Sequence, residues 1–148
     1  MFEIESRNQD EVIFVTKKNT IKINVAESTI DAGLAVGKIS GPGEFEIGEA
    51  TIRGITTGSG RTIYDVEIGG VHTGVLGDIE ENLDDIVADI IFTSSVRAIR
   101  EIEPKLIVSM GNVDAMVSDL KLTARTEKKL KVKNLDSLPA TKEVVVLN

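Results

Sequence analysis

A chain of 148 residues with 41% hydrophobic and only 3% aromatic side chains can bury roughly two-thirds of its unfolded surface in one domain, with Val, Ile and Leu filling the core. The formal net charge of −7 repels polyanions, so nucleic acid is not an expected partner. The absence of cysteine excludes disulfides, thiolate metal sites and a cysteine nucleophile, and fits a cytoplasmic location.

The acidic start MFEIESRNQDE has neither the basic nor the apolar region of a signal peptide, and no apolar run reaches bilayer length. No membrane association is expected. Phe2 and Ile4 alternate with acidic residues, as in a half-buried strand. Residues 11–16 and 20–25 are two further strands, joined by the polar KKN as a hairpin turn. Residues 26–40 show no clear period. Strands resume with EFEI and EATIRGITT, and RTIYDVEI places Tyr64, Val66 and Ile68 on one face. GSG and GG mark turns on either side, and VHTGVLG continues as a strand.

After Gly77 the period changes. Ile79, Leu83, Ile86, Val87 and Ile90 fall on one helical stripe, which predicts a helix over residues 78–90 with Asp78 as N-cap and Glu81 completing a capping box. DIIFT is a short buried strand. Val96, Ile99 and Ile102 predict a helix that Pro104 stops, with Ser94 or Ser95 as its cap. KLIVSM is a buried strand. Val113, Met116, Val117 and Leu120 predict a helix capped by Asn112. KKLKVKN and KEVVVLN close the chain as strands. A β-rich first half followed by alternating helix and strand predicts sheets covered by helices, α+β or an αββα sandwich, in a single domain over residues 1–148.

The segments ISGPGEFEIGEATIRGITT, TIYDVEIGGVHTGVLGDI, EIEPKLIVSMG and EVVVL come in an order that resembles the metallo-β-lactamase superfamily. The resemblance is closest to its small bacterial branch of Zn-dependent hydrolases related to ascorbate-phosphate lactonases. It covers most of residues 38–147 and implies an αββα sandwich with a metal site on loops at the strand ends. Family members carry a His-x-His-x-Asp-His loop after the early strands. Here that region is VAESTIDAGLAVGK, shortened and without His. Other family histidines correspond to the TGSGRT loop, to Val75 and to Gly111. Asp78 alone matches a family metal ligand.

A catalytic zinc needs about three His, Cys or carboxylate ligands and an open position. One His and no Cys do not build a multi-histidine centre within one subunit. The leading expectation is therefore a degenerate member of the fold without hydrolase activity and with no cofactor. Its role would be structural, regulatory or in protein interaction, as a homo-oligomer or with a protein partner, through apolar surface exposed by the lost loop. The alternative is a Zn- or Mn-dependent hydrolase of phosphoesters or lactones, its site built from Asp78 with other carboxylates or ligands from a second subunit. A third expectation is a small-molecule binding module in the old active-site cleft.

Asp78, Glu80, Glu81, Asp84, Asp85 and Asp89 offer oxygens to a hard cation but lack EF-hand spacing, so a solvated helix face is preferred. His72 is a candidate base for a nearby Ser, or a structural His. Gly41, Gly43 and Gly48 are not a dinucleotide fingerprint, since Glu46 fills the third glycine position; Gly41-Pro42-Gly43 is a turn. Lys121, Arg125, Lys128, Lys129, Lys131 and Lys133 lack interleaved aromatics and suit a lysine-protected edge strand.

Overall fold

The computed structural model describes every residue except Gln9 and residues 34–36. The strands are β1 Phe2–Ser6, β2 Glu11–Val15, β3 Thr20–Asn24, β4 Thr29–Asp31, β5 Lys38–Ser40, β6 Gly43–Ile47, β7 Ala50–Thr56, β8 Thr62–Ile68 and β9 Val71–Gly77. They continue with β10 Ile90–Thr93, β11 Leu106–Ser109, β12 Ala124–Glu127, β13 Leu130–Val132 and β14 Glu143–Leu147; the helices are α1 Val96–Ile102 and α2 Val113–Leu120. One sheet has six strands in the order β13-β1-β2-β3-β4-β5. The other has eight, in the order β12-β14-β11-β10-β9-β8-β7-β6. The chain first crosses between them at Gly41-Pro42-Gly43, and β13 later returns to the six-stranded sheet between β12 and β14. There Gly41 and Gly43 have φ of 81° and 139°, which side chains bearing a Cβ disfavour.

Alternation builds the space between the sheets. Phe2, Ile4, Phe14, Ile21 and Ile23 from one sheet meet Ile52, Tyr64, Val66, Ile90, Phe92 and Val108 from the other. β10, β11 and β14 are parallel neighbours and carry apolar side chains on both faces. Ile91, Ile107 and Val144 point away from that core and pack with Ala98, Ile99 and Met116 of α1 and α2. Strands buried on both faces require such continuous apolar runs.

Both α-helices therefore cover the outer face of the eight-stranded sheet. Among the described residues no helix covers the six-stranded sheet, so the expected second helical layer is not there. β4 and β5 lie in the stretch without clear period; three strand residues each leave too short a pattern to read. Residues 34–36, in the second half of the shortened-loop region, lie outside the described residues.

The predicted helix over residues 78–90 is not formed. Only Leu83–Asp85 make a 3-10 turn, after Asn82 in the left-handed region at φ 57°. From there the chain is an extended strap: Ile86 and Ala88 are buried while Val87 is 80% exposed. The apolar residues satisfy a helical spacing and also the alternation of Ile86, Ala88 and Ile90. Tertiary contacts decide between them. Gly74 of β9 leaves room for the strap, since a Cβ there would stand 3.2 Å from Ile86 Cγ2 and 3.4 Å from Ala88 Cβ. Arg53 donates to the Asp85 carbonyl at 2.6 Å, and the Asp89 amide donates to the His72 carbonyl at 2.8 Å.

Candidate functional site: a cleft at the strand ends

β9, β10 and β11 are parallel, so their carboxyl ends open on one edge of the sandwich, where crevices in such sheets form. A cavity of about 240 Å³ lies there, lined by Asp10, Val25, Arg61, Gly77, Asp78, Ser94 and Met110. An irregularity in the β9–β10 ladder shapes it: Phe92 pairs with Val75, but Thr93 pairs with Gly77. The Gly77 carbonyl accepts from Thr93 Oγ1 and from the Ser94 amide, each at 2.9 Å. Gly77 has φ 63°, and a Cβ on it would stand 3.1 Å from Val25 Cγ2. Val25 thus packs directly on backbone at the mouth of the cleft, and only glycine suits the position.

Where the resemblance places a histidine-rich loop, the chain turns tightly after β3. Ser28, at φ 56°, anchors the turn: its Oγ accepts from the Thr62 amide at 2.8 Å, and its carbonyl accepts from the Gly41 amide at 3.2 Å. This fixes the start of β8 and with it the neighbouring Arg61. The Arg61 guanidinium reaches Asp78 Oδ1 at 2.8 Å, with 36% and 68% of the two side chains exposed. Asp78 is therefore neither a helix cap nor an unpaired carboxylate. It is the counter-ion of an arginine that sequence reasoning did not single out; its nearest signal is its place beside the glycine-rich TGSG turn.

The zinc centre that the resemblance implies does not fit these donors. The cleft offers Asp78, already paired with a guanidinium, with Asp10 and the Ser94 hydroxyl. Among the described residues no three His, Cys, Asp or Glu side chains are placed to hold a metal ion, and residues 9 and 34–36 are none of these types. This donor set supports no catalytic step through a metal.

The remaining acidic residues are dispersed. Glu80 accepts a hydrogen bond from Ser95, Asp85 takes one from Asn82 Nδ2 at 3.2 Å, and Asp89 Oδ2 accepts the His72 amide at 2.9 Å. Glu81 and Asp84 are exposed. They do not form the expected helix face. Ser95 caps α1 by accepting from the Ala98 amide at 3.0 Å, while Ser94 lines the cleft. Asn112 precedes α2 but makes no side-chain cap bond. The basic stretch flanks two sheet edges, β12 and β13.

His72 is remote from the cleft. It sits on the outer face of the eight-stranded sheet, where its Nδ1 lies 3.2 Å from Asp65 Oδ1 and 3.3 Å from Oδ2. Arg53 is 3.8 Å from the same carboxylate. Burial raises the Asp65 pKa, against the opposing pull of the His72 hydrogen bond and of the His72 and Arg53 charges. Among the described residues no nucleophile is in hydrogen-bond contact with the imidazole, and the cluster lies on the sheet beneath the strap. On the inner face, the hydroxyls of Tyr64 and Thr73 are buried without a partner among the described residues, and burial pushes the Tyr64 hydroxyl up to about 12.

No protein-family model and no curated protein matches this chain. Among solved structures it is similar to a Thermotoga maritima protein described as a candidate Zn-dependent hydrolase of the metallo-β-lactamase superfamily. The TM-score is 0.72 at 16% identity, over 99% of this chain and 98% of that one. That likeness establishes a shared fold.

Proposed function

We propose that this chain is a cytoplasmic, non-hydrolytic protein of metallo-β-lactamase-like fold that acts by binding a protein partner or further copies of itself. One observation carries the reading: a guanidinium, Arg61, holds the carboxylate of Asp78 at 2.8 Å in the strand-end cleft, with no imidazole or thiolate among the lining residues. Lewis-acid activation of water needs a cation on such oxygens with an open coordination position. Here a side chain supplies the positive charge and has no site for water to ligate.

Metal analysis by mass spectrometry tests this, on protein purified from zinc- and manganese-supplemented medium with Asp78→Ala alongside. Less than about a tenth of an equivalent is expected in both proteins. Near-stoichiometric metal that disappears in Asp78→Ala, together with chelator-sensitive turnover of phosphoesters or lactones, would overturn the reading and establish a metal-dependent hydrolase.

A further inference from the structure

The two sheets end in four edge strands: β5, β6, β12 and β13. An unpaired edge templates another strand unless it is short, charged or covered. β5 and β13 have three residues each. β12 has four, and its Arg125 is engaged by Glu127 and Glu143 at 2.7 and 3.3 Å. β6 is the longest, with five residues. Among the described residues, no backbone hydrogen bond outside the β6–β7 ladder involves Gly43–Ile47, so one side of the strand is open.

Its side chains alternate strictly. Ile47 is buried and Phe45 packs half-buried against the inter-sheet core. Glu44 and Glu46 are exposed on the other face. Neither glutamate makes an ion pair among the described residues: Glu44 stands opposite Arg53 in the ladder, but Arg53 is committed to Asp65 and the Asp85 carbonyl. A strand added to this edge would present successive side chains to the same two faces. Cations would meet Glu44 and Glu46, and apolar groups would continue the core beside Phe45 and Ile47.

The geometry points to β6 as a docking edge for an extended segment of another protein in which basic and apolar residues alternate, added as a ninth strand. This names a surface for the binding role proposed above and rests on that role. Metal in the cleft would overturn the non-hydrolytic reading and leave the edge unaffected, so the two fail separately.

The test uses the full chain with a capped, fluorescein-labelled Lys-Ile-Lys-Leu-Lys peptide, a sequence that does not occur in this chain, read by anisotropy at low salt and by amide hydrogen exchange. Saturable binding is expected, with exchange slowed at residues 43–47. The Glu44→Lys/Glu46→Lys variant, both positions being exposed, keeps its melting temperature and binds roughly tenfold more weakly. A fully N-methylated peptide loses binding because it donates no ladder hydrogen bonds. Equal binding of the N-methylated or of a Glu-for-Lys peptide overturns the proposal, as does protection elsewhere or no binding at about 1 mM. Protection of 43–47 that rises with protein concentration alone assigns the edge to a second copy and overturns the partner named here.

Discussion

The eight-stranded sheet has two halves that differ in construction. From β9 through β12 its strands run parallel, and those between the edges carry apolar residues on both faces under the helices. From β6 to β8 they run antiparallel, with one face on the core and an outer face that carries Glu44, Arg53, Asp65 and Glu67, while Ile55 and Ile63 at one end join the helical cluster. Crossover connections deliver parallel strands with their ends aligned, so that half carries the cleft. Hairpins end where the sheet ends, so the other half carries the open edge. The cleft and the proposed docking edge are thus consequences of two connection rules within one sheet.

The sharpest contrast lies in burial. Phe92→Ala, at a fully buried position in the parallel half, is expected to cost about 3–5 kcal/mol in urea unfolding. Thr51→Ala, on the open face of β7, should stay within about 0.5 kcal/mol. Similar losses would mean that the outer face of β7 is covered in solution. Two glycines refine the comparison. Gly69, in the β8–β9 turn, has φ 59° with nothing within 4 Å of a Cβ. Gly69→Ala then reports left-handed strain alone, about 1 kcal/mol. Gly77→Ala adds the contact with Val25 and should cost more, and a double-mutant cycle with Val25→Ala, itself a core truncation, should show a coupling that accounts for the difference. Tyr64→Phe is expected to raise stability by about 1 kcal/mol, since it removes a buried hydroxyl without a partner among the described residues. A loss instead would indicate that ordered water satisfies that hydroxyl.

The same division explains what could be read in advance. IIFT, LIVS and EVVVL are buried strands recognisable from composition, and the alternation of TIYDVEI marks its inner face directly. Residues 78–90 misled because Ile79, Leu83 and Ile86 satisfy a helical spacing while Ile86, Ala88 and Ile90 satisfy alternation. Gly74 beneath the strap decides the matter, and that is a contact between distant segments. β12, reading ARTE with three exposed residues, has no apolar pattern to find. At the cleft, Asp78 was legible by position, whereas Arg61 acquires its role only when the Ser28 turn fixes the start of β8. Asp65 likewise became a partner for His72 only once the β8–β9 register set them on one face.

The smallest expected effect concerns that Asp65 cluster, at the seam between the two halves. Its carboxyl is 10% exposed and faces His72 and Arg53, with Glu67 nearby on its own strand. Burial is the leading cause of the raised pKa, so the folded state holds this proton more tightly than the unfolded state does. The resulting stabilisation is present below the ordinary value of 3.8 and is lost as pH rises through the higher folded value. Asp65→Asn does not titrate. Wild type should therefore gain stability relative to Asp65→Asn as pH falls through that acidic window, and lose that advantage above it. Melting temperatures of both proteins across the acid range measure the crossover. If wild type instead gains relative to Asp65→Asn as pH rises, the attraction of His72 and Arg53 outweighs burial, and the cluster acts as an ion-pair clamp rather than as a buried acid held by its surroundings.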